Sequence, residues 1–403
     1  MKRDETKILM PRLRFPEFRD KGEWEEKALG SICSNISSGK DKNETEGEYD
    51  LYGSTGIIGK TCFATYNGNF ILVARVGANA GFLNKVYGKF GVTDNALVIF
   101  LKDADNIDFI FYTLDKYGLN NLVFGSGQPL ITGGQLKSID ICIPHVKEQQ
   151  KIASCLSSLD DLITAQSQKL ETLKAHKKGL MQQLFPAEGE TVPKLRFPEF
   201  NGEWDRIELG RFIEIKGRIG YRGYTVNDIV KEGEGAISLS PSNINDAGNL
   251  SFEKSTYISW EKYEESPEIM LEDGFTILVK TGSSYGKSAL VRNLPVKTTI
   301  NPQLVVLKPV RINGFFLFLI ISNSLVQKQI NETVVGGAIP TLSQESISKF
   351  EVLIPNEIEQ QKIASCLSSL DDLIAAQGQK LETLKLHKKG LMQGLFPNNK
   401  SLM

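Results

Sequence analysis

Residues 216–223 read KGRIGYRG, three cations and one aromatic set among glycines. Such a loop can lay its backbone against a phosphate while aiming Arg218 and Arg222, because glycine accepts conformations closed to other residues. Lys216 and Tyr221 complete this candidate set. Three further loops share the mixture: 75–81 (RVGANAG) offers Arg75 and Asn79, 280–287 (KTGSSYGK) offers Lys280, Ser283 and Lys287, and 125–128 (GSGQ) offers Gln128. Arginine or lysine on guanine and asparagine or glutamine on adenine are major-groove pairings, so these residue types suit the reading of DNA bases. Any single glycine-rich polar loop also serves as an ordinary hairpin turn. The total charge points to no nucleic acid, with 47 Lys and Arg against 48 Asp and Glu. Residues 25–144 hold 10 basic against 13 acidic side chains, and 205–355 hold 16 against 17. A DNA partner therefore requires cations gathered locally, where they neutralise particular phosphates.

Catalytic patterns are missing. GSSYGKS at 282–288 imitates a phosphate-binding loop but has three residues between its glycines instead of four. Residues 301–304, NPQL, approach the motif of amino-methyltransferases without its second proline or its base-stacking aromatic. No glycine-rich cofactor loop follows a first strand. The five cysteines (Cys33, Cys62, Cys142, Cys155, Cys366) form no CxxC, and three histidines (His145, His176, His387) give no zinc spacing and no catalytic set. No catalytic residue and no metal ligand is assigned. MKRDETKILM lacks the apolar core of a signal peptide, and the longest apolar run, 315–321, is too short to span a bilayer. The expectation is a soluble cytoplasmic protein.

The elements that must hold these loops come in two copies. Residues 143–186 and 354–397 align without a gap at an offset of 211 and are identical at 37 of 44 positions. PRLRFPEF at 11–18 recurs as PKLRFPEF at 193–200, each soon followed by GEW. Between them lie two long regions of low mutual similarity. Short pieces still correspond: ILVAR at 71–75 with ILVK at 277–280, TDNALV at 93–98 with TINPQLV at 299–305, and GSGQPLI at 125–131 with GGAIPTL at 336–342. The order is variable, constant, variable, constant.

Each constant segment has a heptad pattern. The first places Leu156, Ile163, Leu170 and Leu184 at one seam position, and Ile152, Leu159, Gln166, Leu173 and Leu180 at the other. The second repeats this with Leu367, Ile374, Leu381 and Leu395, and with Ile363, Leu370, Gln377, Leu384 and Leu391. Proline at 144 or 355 and at 186 or 397 bounds each, giving a helix of roughly 55 Å. Alone, such a helix exposes its stripe, so the two are expected to pack antiparallel, centred near Gln166 and Gln377. Lys177 then comes within reach of Asp371 or Asp372, and Lys388 of Asp160 or Asp161. The variable halves read as α+β, with β-rich runs at 69–74, 96–101, 274–280 and 304–307 broken by turn residues.

The combination of PKLRFPEF, GEW, EQQKIASCLSSLDDLI, QKLETLK and HKKGLMQ-x-LFP resembles the DNA-specificity subunits of type I restriction–modification systems over essentially the whole chain. The matching positions are 148–163, 168–174 and 176–186, then 359–374, 379–385 and 387–397. The resemblance implies an α+β chain with two target-recognition domains separated by two antiparallel helices, in a pseudo-two-fold arrangement. Its divisions are a first recognition domain over 1–144, with the conserved segment 11–24, and a spacer helix and linker over 145–192. A second recognition domain covers 193–354 and a second spacer helix 355–403. It further implies a non-catalytic reader of a bipartite, asymmetric site in double-stranded DNA, whose helices set the gap. Two modification subunits carrying S-adenosylmethionine dock on the helices. Two restriction subunits join, with ATP and magnesium on these partners and none on this chain. Two other readings are a methyltransferase–specificity fusion and a coiled-coil scaffold with protein-binding globular halves.

Overall fold

The structure is a computed structural model and describes residues 9–102, 105–123, 129–245, 248–333 and 341–397. The chain divides into two units, one of residues 1–168 with 378–403 and the other of 169–377. Both divisions fall inside the two long helices, Val146–Leu184 and Glu357–Leu395, and not at their ends. Each helix thus gives its N-terminal half to one unit and its C-terminal half to the other. Glycines 179, 378, 390 and 394 are absorbed without a break, because the packed stripe outweighs a propensity cost of about 1 kcal/mol per glycine.

In the first unit β1 (Glu25–Ala28) runs antiparallel to β8 (Asp140–Ile143), so the chain enters and leaves the variable region through one strand pair. Between them β2 (Cys33–Ser38), β3 (Tyr49–Gly53), β4 (Gly56–Thr61), β5 (Tyr66–Ala74), β6 (Leu83–Val92) and β7 (Ala96–Leu101) form one sheet in the order β2-β7-β5-β6-β3-β4. Among the described residues of this sheet only β3 and β6 pair in parallel, the other neighbours running antiparallel. Alternate residues serve opposite faces, as a strand's period of two requires. Ile71, Val73, Leu97 and Ile99 face a core closed by the helix Ile107–Tyr117 and the long-helix residues Ile152, Leu156 and Leu395. Leu72, Ala96 and Val98 face a smaller core with Val86, Phe90 and Val92.

The second unit repeats the frame. β9 (Asp205–Glu208) pairs antiparallel with β18 (Glu351–Ile354). Inside, β10 (Ile213–Gly217), β17 (Leu304–Pro309), β14 (Thr276–Val279) and β15 (Ser288–Leu290) lie in the order β10-β17-β14-β15, which matches β2-β7-β5-β6 strand for strand. A separate sheet holds β11 (Ile229–Val230), β13 (Thr256–Ile258), β12 (Ala236–Leu239) and β16 (Thr298–Ile300) in the order β11-β13-β12-β16. Leu278, Val305 and Leu307 turn toward the helices, while Ile277, Val279, Leu304 and Val306 turn toward the second sheet.

Within each unit the two helix halves run antiparallel. Lys388 Nζ lies 2.6 Å from Asp160 Oδ1 in the first, and Lys177 Nζ 2.5 Å from Asp371 Oδ1 in the second. Of the eighteen seam residues Leu184 and Leu395 are buried, and the other sixteen are buried or half-buried. They are Ile152, Leu156, Leu159, Ile163, Gln166, Leu170, Leu173 and Leu180 on one helix, and Ile363, Leu367, Leu370, Ile374, Gln377, Leu381, Leu384 and Leu391 on the other. The lysines that interrupt the apolar seam thus meet aspartates of the facing helix half, as expected of Lys177 and Lys388.

Candidate nucleic-acid interface

The frame that positions the loops is built from the repeated motifs. Arg14, from LRFPEF, sets Nε 2.7 Å and Nη2 2.8 Å from the two carboxylate oxygens of Glu148 in the first turn of the long helix. Its Nη1 donates to the Gly22 carbonyl, and Trp24 Nε1 donates to Glu148 Oε1 at 3.3 Å. Arg196 repeats this fork on Glu359 at 2.8 Å for both bonds and donates to the Gly202 carbonyl. Trp204 Nε1, the counterpart of Trp24, is buried without a partner among the described residues. Both glutamates are about 1% exposed, so the planar guanidinium fork is what makes their charge tolerable there.

The repeated Leu-Phe-Pro ends of the helices are plugs. Phe396 stacks on Phe109 with centroids 5.5 Å apart and meets Trp24 edge-on at 6.2 Å. Phe185 stacks on Phe316 at 5.5 Å and meets Trp204 edge-on at 5.7 Å. Each helix therefore ends in the core of the unit to which it contributes only its C-terminal half.

On this frame the two units present the same hairpin. It joins β5 to β6 in the first and β14 to β15 in the second. Gly77 and Gly81 have φ of 80° and 93°, and Gly282 and Gly286 have 99° and 82°, all in the region that a Cβ disfavours. Gly81 N–H donates to the Ala74 carbonyl at 2.9 Å, as Gly286 N–H does to Val279. At the hairpin root Arg75 and Lys280 occupy equivalent places. Arg75 N–H donates to Asn95 O and Lys280 N–H to Gln303 O, both at 2.9 Å. Their carbonyls accept from Ile131 N–H at 2.9 Å and Leu342 N–H at 2.7 Å. The described residues of the three short sequence matches, including Ile131 and Leu342 of the last, thus converge on one spot in each unit.

The side chains at that spot are cationic and poorly partnered. Arg75 Nη1 reaches only the Asp94 carbonyl at 3.4 Å, and its Nε is buried with no partner among the described residues. Lys280 makes no ion pair among the described residues, and burial lowers its pKa below the usual lysine value. Asn79 and Ser283 are exposed on the two hairpin tips, and Lys287 is half-buried at the end of the second.

The loop at 216–223 has another job. Arg218 is only 4% exposed, with Nε donating to Ile300 O at 3.1 Å and Nη1 to Arg222 O at 3.2 Å. Its guanidinium ties the loop to the end of β16. Arg222 donates to Glu265 O at 3.2 Å and pairs loosely with Glu268 at 3.6 Å, and Lys216 lies 3.6 Å from Glu214. Gln128 and the side chain of Tyr221 lie outside the described residues.

Asn301, in the NPQL stretch, is a turn-maker whose side chain bonds Gln303 through both its amide atoms. Burial pushes the Cys33 thiol up to about 11, far from a nucleophile's range. Among the described residues no cluster of His, Cys, Asp and Glu fits a metal ion, and no helix is long and apolar enough to cross a membrane.

The chain resembles known proteins over nearly its full length. The MjaVIII type I restriction enzyme specificity subunit of Methanocaldococcus jannaschii is 23% identical, covering 95% of this chain and 93% of that protein. The EcoprrI specificity subunit of Escherichia coli is 30% identical over 37% of this chain and 39% of its own length. The crystal structure of a type I restriction-modification S subunit from M. genitalium shares the fold, with a TM-score of 0.66 at 18% identity over 97% of this chain and all of that one. A chain from a study of complex assembly in the type I system aligns at a TM-score of 0.51 and 13% identity, over 93% and 98% of the two chains. The type I restriction modification DNA specificity domain matches residues 21–175 and again 202–386. With two such domains on a duplicated frame, the chain belongs to the type I restriction–modification specificity family and is a specificity subunit.

Proposed function

We propose that each unit reads one half of a split, asymmetric sequence in double-stranded DNA, and that the chain itself performs no chemistry. The observation carrying this reading is the repeated four-strand order with its hairpin, set twice in one chain on frames of near-identical sequence. Two reading heads on one chain suit a two-part target. Two modification subunits dock on the helices and carry S-adenosylmethionine, and two restriction subunits join with ATP and magnesium. Leu162 and Leu373 support the docking, being exposed leucines at equivalent positions of the two copies. Two like surfaces invite two like partners. The long helices run on from one unit into the other, which suits them to set the gap between half-sites.

The test is a cassette exchange at the paired strands. Replacing 209–350, between β9 and β18, with the matching stretch of a homologue leaves the clamp and Phe185 untouched and exchanges only the far side of the plug, Phe316. Methylation mapping in cells should then show one half of the motif changed and the other half and the gap retained. A change in both halves together would refute separate reading. Purified free of partners, the chain should transfer no methyl group to DNA.

A further inference from the structure

The hairpin roots carry an inference that rests on the DNA-reading role proposed above. We propose that Arg75 and Lys280 are one functional position in two copies, each closing on a DNA phosphate in its own half-site. They supply a grip that is the same for both units and independent of sequence.

Position supports the pairing first. Arg75 and Lys280 have both backbone groups fixed by matching bonds, to 95 and 131 in one unit and to 303 and 342 in the other. Each cation therefore projects from a hydrogen-bonded root and not from the exposed tip. A Cβ placed on Gly217 would stand 3.5 Å from Lys280 Nζ, so the ammonium lies close against backbone. The unmet charge supports it second. A half-buried cation with no carboxylate partner among the described residues is costly, and an incoming anion restores what burial removed. Arg75 Nε is buried with no partner among the described residues, and its counterpart Lys280 is held below its usual pKa by burial.

Sequence decides between phosphate and base. Two units that read different half-sites differ wherever they touch bases and agree only where the half-sites agree. The phosphate backbone is what the half-sites share. The hairpin root lies in one of the few stretches of the variable halves that still correspond, ILVAR with ILVK. The tips do not correspond: Ala78, Asn79 and Phe82 in one unit stand where Ser283, Ser284 and Lys287 stand in the other. Phe82 is 57% exposed. The root grips the backbone and the divergent tip is left to read.

The experiment uses the full chain bound to its modification subunits, with one duplex carrying the mapped motif and one lacking it. Affinity is measured from 50 to 200 mM salt. Arg75→Gln and Lys280→Gln should each weaken both duplexes by the same factor. Each should also flatten the dependence of log affinity on log salt by about 0.9, the share of one phosphate. The deficit then shrinks about threefold across that salt range. Arg75→Lys and Lys280→Arg should keep the parent slope.

Duplexes with single methylphosphonate groups need no change in the protein. They should reveal one phosphate in each half-site whose neutralisation flattens the slope as the glutamine variants do. Parent slope and affinity in folded glutamine variants would overturn the inference while leaving DNA reading intact. So would a loss confined to the motif duplex, which would make the residue a base reader. If the parent complex does not favour the motif duplex, the DNA-reading role itself falls.

Discussion

The two units share their clamp, plug and ion pair near the helices and part company away from them. Next to the helices, the Arg14–Glu148 clamp, the Phe396 plug and the Lys388–Asp160 pair have counterparts in Arg196–Glu359, Phe185 and Lys177–Asp371. Farther out, the first unit extends its sheet with the β3–β4 hairpin, whereas the second builds a separate sheet of four strands on the far face. The difference shows where the constraint lies. A buried carboxylate admits few partners, and a stacked aromatic plug admits few shapes, so the frame cannot drift. The outer strands need only keep their alternating pattern to be covered.

Breaking the plugs should separate the units most sharply. Phe396→Ala leaves a cavity among Trp24 and Phe109 and should cost about 3–5 kcal/mol, raising amide hydrogen exchange in 9–168 and sparing 169–377. Phe185→Ala should do the reverse. If both variants loosened both units equally, the comparison of two separately cored halves would be wrong.

The clamps come next. Arg14→Ala strands Glu148 in a buried site and should cost about 3 kcal/mol, as should Arg196→Ala for Glu359. Thermal melting near pH 7 would measure it, and cost-free substitutions would mean that water reaches both glutamates.

A smaller effect should set Asp160 apart from Asp371. Asp160 accepts from the Tyr112 hydroxyl at 2.7 Å as well as from Lys388, while Asp371 adds to Lys177 only a loose approach of Arg292 at 3.7 Å. Both ion pairs are partly exposed and screened, so Asp371→Ala should cost about 1 kcal/mol or less, and Asp160→Ala about 1–2 kcal/mol because it also loses the Tyr112 bond. Equal costs in chemical denaturation would erase this asymmetry. Least of all, Trp24→Phe forfeits a hydrogen bond to Glu148 and should cost about 1 kcal/mol beyond Trp204→Phe, whose indole N–H has no partner among the described residues to lose.

The sequence by itself determined the long helices and their seam residues and, for an antiparallel pair such as the family resemblance implies, the reach of Lys177 to Asp371 or Asp372 and of Lys388 to Asp160 or Asp161. Each follows from periodicity or charge along one rigid element, which a string of residues displays directly. Residues 69–74 of the strand Tyr66–Ala74, and the strand Ala96–Leu101, were legible for the same reason, being β-rich runs between turn residues. Only the tertiary structure decided what lies across elements. KGRIGYRG reads as the clearest DNA loop, yet burial commits Arg218 to the carbonyls of Ile300 and Arg222. The constant motifs mark a family without showing their work. Glu148 and Arg14 stand 134 residues apart, and nothing local links a helix's first turn to a segment before the first strand. The plugs were hidden likewise, since Phe396 fills a core whose other rings come from Trp24 and Phe109. The kinship of Arg75 and Lys280 emerged from matched backbone hydrogen bonds, because a hairpin's geometry persists where its tip residues have changed.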